Sequence, residues 1–242
     1  MLSTYNETIQ NRKWYDYDII GSTNDELKKY INDADKIVIT AKKQTNGRGR
    51  LGRSWVSNEG NLYFSYGLEI SPQTLSQVVC IVGLSLAKTI KQIAPLVNIK
   101  IKWPNDLMIE DKKISGIIFE NIKDNLWCIG IGVNIQSSPS LKETTLYKAT
   151  SLKEHGIILD RIEFLRYYLA NFDEDYEQYR INGFGAIRQQ WLELAKNLNQ
   201  TINVSINNNV KVGTLKTIDE NGYLILAYKD KEEKIIVGDI FI

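Results

Sequence analysis

Residues 44–55 read Gln44-Thr45-Asn46-Gly47-Arg48-Gly49-Arg50-Leu51-Gly52-Arg53-Ser54-Trp55, and no other segment of the chain is as unusual. Glycines alternate with arginines at its centre, and the absence of apolar periodicity predicts a loop. Glycine lets the backbone approach a ligand closely, and arginine supplies a permanent charge with forked hydrogen-bond donors. We therefore expect this loop to wrap an anionic group such as a phosphate or a carboxylate. A solvated basic loop without a ligand is the alternative.

Two common phosphate-binding motifs almost fit this loop, and its context argues against both. Gly47-x-Gly49-x-x-Gly52 matches the dinucleotide-binding fingerprint, with Glu69 near the position of the acidic residue. That fingerprint opens an apolar helix, whereas residues 55–61 are turn-forming and lead into a predicted strand. The same glycines with Arg53 and Ser54 imitate a P-loop, but arginine replaces the lysine and the helix is again missing. The loop therefore predicts a fold different from either of these nucleotide-binding folds.

Three further segments place polar residues or glycines where regular structure is interrupted. Lys102-Trp103-Pro104-Asn105-Asp106 breaks a strand at its proline, which suits either a polar corner for a ligand or an ordinary turn. Lys113 enters an apolar strand with Gly116 three positions later; it is either a clamp for a carboxylate or phosphate, or a lysine that protects a strand edge. Gly130-Ile131-Gly132-Val133-Asn134 leaves room for a flat apolar ligand, or packs tightly against a helix.

The segment Gly21-Ser22-Thr23-Asn24 precedes the first predicted helix. We predict that a capping box over Thr23–Glu26 opens this helix. A helix N-terminus also suits polar ligand atoms, but capping alone accounts for these residues. The sequence is thus compatible with both helix capping and ligand binding by this segment.

The spacing of apolar residues predicts two parts of different character. Up to about Leu198, strands and helices mix, with a helix over 75–93 and two more over 161–179 and 186–196. After that point, short β-rich runs are separated by turn signals such as Asn221-Gly222, which is typical of a small β-barrel. We predict domains at 1–198 and 199–242. The predicted strands are 36–40, 61–70, 98–102, 113–121, 126–135, 201–206, 211–218, 222–227 and 234–237.

The composition excludes several classes of protein. Hydrophobic residues make up 43% and charged residues 24% of the 242 residues, values of a globular chain rather than a disordered or membrane one. The net charge of +1 gives no general attraction to nucleic acid or to an anionic membrane. The apolar stretches are shorter than the ~20 residues that span a bilayer. Cys80 and Cys128 lie in apolar runs without paired spacing, and no signal peptide is evident, so we expect reduced thiols in a cytoplasmic protein.

In combination, these segments resemble the biotin protein ligases, the biotin–[acetyl-CoA-carboxylase] ligases. The resemblance covers nearly the whole chain and keeps the order of the family's motifs. It implies an α+β fold, with a mixed sheet and flanking helices related to the class II aminoacyl-tRNA synthetases, followed by an SH3-like barrel. The matching segments are Ser22–Asn24, Gln44–Trp55, Lys102–Leu107, Lys113–Gly116, Gly130–Asn134, Thr150–Leu152 and Val237–Ile240.

The resemblance also implies an activity. Biotin and ATP, with Mg²⁺, would give biotinyl-5′-AMP and pyrophosphate, and the biotinyl group would pass to a lysine of a biotin carboxyl carrier protein. It implies catalytic roles for Lys113 and Arg48, while the ligands of the metal stay unassigned. The implied biotin-binding residues are Ser22, Thr23, Asn24, Gln44, Gly47, Arg48, Gly49, Arg50, Lys113 and Gly116. The implied ATP-binding residues are Arg48, Arg50, Trp55, Asn105 and Lys113.

Other expectations concern partners and rivals. Only 21 residues precede Ser22, too few for the DNA-binding winged helix of some family members, so we expect a ligase without repressor function. We expect no nucleic-acid or membrane partner, and leave a homodimer open. The rival enzyme is a lipoate or octanoate ligase or transferase on the related fold. A non-catalytic biotin-binding module is the other alternative.

Overall fold

A computed structural model describes residues 2–139, 148–206, 209–228 and 231–241 of the chain. By its contacts, the chain divides into two compact units. The first unit comprises Met1–Pro72 and Asp111–Ala170, and the second comprises Gln73–Glu110 and Asn171–Ile242. The division at 198/199 that we expect from the sequence stays a prediction.

Strands outnumber helices in the described chain. The strands are β1 (Leu2–Ile9), β2 (Arg12–Ile20), β3 (Ile37–Gln44), β4 (Leu62–Glu69), β5 (Ile99–Lys102), β6 (Asp106–Ile109), β7 (Lys112–Lys123), β8 (Leu126–Val133), β9 (Thr201–Ile206), β10 (Asn209–Ile218), β11 (Leu224–Tyr228), β12 (Lys231–Ile235) and β13 (Asp239–Phe241). The α-helices are α1 (Thr23–Leu27), α2 (Leu75–Ile93), α3 (Arg161–Asn182) and α4 (Phe184–Leu194).

The first unit is built on a mixed sheet. Its strands follow the order β1-β2-β3-β4-β8-β7. The β2–β3 pair is parallel, and the other neighbouring pairs are antiparallel. This mixture confirms the α+β architecture with a mixed sheet.

The two faces of this sheet have different chemistry, because successive side chains on a strand alternate between faces. Phe64 is fully buried on one face, where the Tyr168 ring of α3 packs edge-on against it with 5.2 Å between ring centroids. Ser65 lies on the opposite face, where its partner in the β4–β8 ladder is Gly130. We call this opposite face, which carries Tyr63, Ser65, Gly130 and Gly132, the site face. It bears small and polar residues and so has room for other groups.

The second unit contains helix α2, the β5–β6 hairpin and a five-stranded antiparallel sheet. The sheet has the order β12-β11-β10-β9-β13, which confirms the predicted SH3-like domain. The hairpin turns at Trp103, Pro104 and Asn105, so the interruption expected at the proline is a turn between two strands.

The expectation that every apolar stretch is too short to span a bilayer is wrong. Among the described residues, the helical segment Pro72–Ile93 is long and apolar enough to cross a membrane. Of the apolar window within it, 61% is buried inside the structure, as in the core helix of a globular protein. Val78, Val82 and Leu86 are among its buried side chains.

Most of the helices and strands predicted from the spacing of apolar residues are present in the structure. The helix over 75–93 and the strand over 201–206 agree with α2 and β9 at both ends. Strands β1, β2, β6 and β13 are not predicted from the sequence. Of the turns predicted around 207–209 and 229–233, residues 207–208 and 229–230 lie outside the described residues. The prediction is wrong for the rest, because Asn209 begins β10 and residues 231–233 belong to β12.

Candidate active site

The Gly/Arg loop, residues 47–53, is a short hairpin that follows β3. The Trp55 amide donates to the Gly47 carbonyl at 2.9 Å, and the Gly49 amide donates to the Arg53 carbonyl at 2.7 Å. Glycine is needed at 47, because a Cβ there would lie 2.6 Å from the Trp55 carbonyl oxygen. The tip, Arg50–Gly52, is a 3-10 turn. The loop is therefore an ordered hairpin in this state.

Arg48 points from this hairpin to two carboxylates. Its Nε and Nη2 donate to the two oxygens of Glu120 at 2.7 Å each. Its Nη1 and Nη2 donate to Asp25 at 2.8 and 2.7 Å. The hydrogen bonds that Arg48 donates to Glu120 and Asp25 raise its pKa above its already high ordinary value, so the guanidinium stays charged.

Glu120 is a site residue that the sequence analysis does not single out. It lies on β7, where its ladder partner is Cys128, and its side chain is 19% exposed. In addition to its hydrogen bonds with Arg48, its carboxylate accepts a hydrogen bond from Asn24 Nδ2 at 3.0 Å and lies 2.9 Å from Lys28 Nζ. Burial raises the pKa of Glu120, but hydrogen bonds from Arg48, Asn24 and Lys28 outweigh it and lower the pKa to about 2. The carboxylate is therefore ionised at every physiological pH.

The start of α1 differs from the predicted capping box, and that prediction is wrong. The N-cap is Ser22, which is buried, and its side chain makes no capping hydrogen bond. The Thr23 amide donates to Gln44 Oε1 at 2.8 Å instead. The Ser65 hydroxyl lies 2.7 Å from Thr23 Oγ1 and 2.6 Å from Asn24 Oδ1. The polar residues before α1 therefore form a buried network on the site face.

Gln44 links this network to the Gly/Arg loop. It is the last residue of β3, and its Nε2 donates to Ser57 Oγ at 3.1 Å. A Cβ at Gly47 would lie 3.1 Å from the same nitrogen. Both ends of the Gln44 amide are thus held, which orients a group able to donate to and accept from a polar ligand.

Trp55 covers two neighbouring glycines of the site face. Gly116 and Gly132 are ladder partners, and added Cβ atoms there would lie 2.9 and 2.5 Å from the indole. The Trp55 Nε1 atom is buried without an acceptor among the described residues. The space that the sequence assigns to a flat ligand is occupied in this state by Trp55 over Gly132 and by Asn24 over Gly130.

Lys113 lies beside this indole. Its Nζ is 5.4 Å from the centre of the Trp55 ring, a cation–π distance. Its backbone is fixed on both sides, because its amide donates to the Lys148 carbonyl and its carbonyl accepts the Thr150 amide, at 2.8 and 2.9 Å. The lysine therefore rises from a rigid base toward the loop.

The described contacts of the first unit thus link Thr23, Asn24, Gln44, Gly47, Arg48, Trp55, Lys113 and Gly116. Gly49 and Arg50 belong to the same hairpin, and both are half-buried.

Asn105 belongs to the second unit. It is half-buried in the β5–β6 turn, next to the buried ion pair between Lys102 Nζ and Asp106 Oδ2 at 3.1 Å. Its role toward a nucleotide stays a prediction. Within the described residues, no group of three or more His, Cys, Asp or Glu side chains could hold a metal ion.

Comparison with known proteins identifies the family. The model of the Biotin/lipoate A/B protein ligase family matches residues 17–136, and that of the Biotin protein ligase C terminal domain matches residues 198–242. The bifunctional ligase/repressor BirA of Bacillus spizizenii is 31% identical over 92% of this chain and 72% of its own length. The biotin–[acetyl-CoA-carboxylase] ligase of Paracoccus denitrificans is 29% identical over 84% of this chain and 89% of its own.

A solved structure agrees with these matches. The biotin protein ligase of Aquifex aeolicus, solved in complex with biotin and ATP, superimposes with a TM-score of 0.84 and 28% identity. The match covers 96% of this chain and 97% of that one. The chain belongs to the biotin protein ligase family, and it is a ligase.

Proposed function

We propose that this ligase activates biotin with ATP as biotinyl-5′-AMP and then transfers the biotinyl group to a lysine of a biotin carboxyl carrier protein. One observation carries the proposal: buried polar groups around Thr23, Asn24 and Gln44 share the site face with Trp55 and Lys113. A small ligand that carries a polar ring, an apolar body and a carboxylate fits such a sequence of groups. Biotin has these three parts in that order.

The first step needs positive charge beside two anions. The biotin carboxylate oxygen attacks the α-phosphorus of ATP, and pyrophosphate leaves. Lys113 Nζ, on its fixed strand, is placed to offset the repulsion between carboxylate and phosphate. We propose that Mg²⁺ enters with the phosphates of ATP as part of this substrate. In the second step, the amine of the carrier lysine attacks the acyl carbon, and AMP leaves.

A ligase site must also protect biotinyl-5′-AMP, a reactive mixed anhydride, from water, and the loop and Trp55 are suited to this. A hairpin that carries Arg48 and Arg50 above the site face excludes water when it is docked. Trp55 forms the apolar wall beside Lys113. Asn105 is proposed to face the nucleotide.

We further propose that the enzyme is cytoplasmic and has no repressor function. We propose that it binds neither nucleic acid nor membranes. A homodimer is one oligomeric state to test. Cys80 and Cys128 are buried free thiols, which fits a reducing compartment. The net charge of +1 offers little attraction to DNA.

The second candidate function is ligation of lipoate or octanoate. One observation favours keeping it: the family model that matches residues 17–136 covers biotin and lipoate ligases together. The two acids differ at the ring, since only biotin has the polar ureido group that Thr23, Asn24 and Gln44 could bind.

Pyrophosphate release tests the proposal and separates the candidates. With ATP-Mg²⁺, we expect biotin to stimulate release and a tenfold excess of lipoate or octanoate to leave the biotin rate unchanged. Release with lipoate or octanoate alone would favour the second candidate. No release with any of the three acids, from folded protein that still binds biotin, would favour a non-catalytic module.

A further inference from the structure

We infer that Glu120 is a positioning residue that joins Arg48 and Asn24 into one unit and thereby keeps the Gly/Arg loop docked on the site face. The inference rests on the proposed function and deepens it. It concerns how the loop is held, and it assigns a role to a carboxylate that the proposed reaction does not use.

The contacts of Glu120 join three parts of the first unit. Arg48 belongs to the loop, Asn24 and Lys28 lie in and just after α1, and Glu120 itself lies on β7. The four contacts are 2.7 to 3.0 Å long, and the carboxylate is 19% exposed. This one group therefore bridges a loop, a helix end and a strand.

Arg48 is occupied almost completely by carboxylates in this state. A guanidinium has five N–H donors. Two of them serve Glu120 and two serve Asp25. With Lys28 included, two cations face two anions, so the local charge is balanced. In the docked state, Arg48 is thus chiefly an anchor of the loop, with one N–H left without an acceptor among the described residues.

Asp25 is the weaker of the two partners. Its side chain is 56% exposed, whereas that of Glu120 is 19% exposed. Exposed ion pairs contribute little, because water and salt compete with them. The bidentate pair with Glu120 is charge-assisted and better shielded, so we expect it to dominate the docking.

The first test compares loop protection in the wild type and in Glu120→Gln. The variant keeps the shape but loses the charge, and we expect trypsin to cut after Arg50 at least tenfold faster. That bond is a suitable reporter, because it lies at the loop tip, where Leu51 is 74% exposed. Mass spectrometry of the fragment that begins at Leu51 isolates this cleavage from others. Equal cleavage in the wild type and the variant would overturn the inference.

A matched control addresses general loss of stability. Asp16 is also a shielded carboxylate paired with an arginine, Arg161, and it lies on the opposite face of the same sheet. Asp16→Asn should leave cleavage after Arg50 unchanged at a temperature at which both variants are folded. If Asp16→Asn accelerates that cleavage as much as Glu120→Gln does, Glu120 is only structural.

The second readout is kinetic. A loop that is no longer held should raise the KM for biotin at least tenfold and change kcat by less than threefold. A fall in kcat without a change in KM would contradict a positioning role. If Glu120→Gln does not fold, Glu120→Asp replaces it, because the shorter side chain withdraws the carboxylate from Arg48 and Asn24. It should show the same changes at a few-fold, and no change would overturn the inference. An inactive wild type would refute the proposed function, whereas the cleavage comparison would still test Glu120.

Discussion

Lys113→Ala should reduce biotin-dependent pyrophosphate release by about 10²- to 10³-fold, the usual effect of removing one donor that stabilises developing charge. The lysine sits on a backbone bridged to residues 148–150, and its Nζ lies beside Trp55 and Gly116. Lys113→Arg keeps the charge on a larger, planar group and should recover only part of the rate.

The matched control is Lys123→Ala, which removes an exposed lysine from the other end of the same strand. It should leave the rate unchanged. We would measure kcat and KM for all variants, after thermal melting has shown that each is folded. Wild-type kcat/KM in folded Lys113→Ala would refute the catalytic assignment.

Gly130→Ala should weaken the binding of biotin at least about 10-fold, or by ~1.4 kcal/mol. A Cβ at this position would lie 2.1 Å from Asn24 Oδ1. Asn24 would have to leave Ser65 and Glu120, its two partners on the site face. Overpacking of this kind also costs about 1–3 kcal/mol of folding free energy. Isothermal titration with biotin gives the affinity, and thermal melting gives the stability.

Two further variants isolate the cause. Gly185→Ala places a Cβ where no atom lies within 4 Å and should change neither quantity. The double variant Asn24→Ala/Gly130→Ala removes the clashing oxygen, so it should regain stability but not affinity. Wild-type affinity in Gly130→Ala would remove Asn24 from the biotin site.

Much of the fold could be predicted from local patterns. In helix α2 and strand β4, apolar side chains recur with a clear period, because each element buries a row of them. Strands β1 and β2 were missed, since residues 2–20 mix polar and apolar residues without a clear period. The short strands β6 and β13 are held by their ladder partners in β5 and β9 rather than by their own sequence.

The candidate site divides in the same way. Gly47, Arg48 and Lys113 stand out because glycine and charge interrupt apolar patterns, and these signals are local. Glu120 has no such signal: it contacts Arg48 across 72 residues of sequence. Only the register of β7 against β8 brings it to the site face. The Ser22–Asn24 segment was predicted, but its buried network with Gln44 and Ser65 replaces the capping box, because tertiary partners satisfy the side chains better than the helix end does.

The most direct test of the central claim is the intact mass of a biotin carboxyl carrier domain after incubation with this protein, biotin and ATP-Mg²⁺. We predict one biotinyl addition per carrier domain, which requires both biotin and ATP and disappears when the target lysine of the carrier is changed to arginine. No addition to a carrier that a known biotin ligase modifies, together with no biotin-dependent pyrophosphate release, would contradict the account.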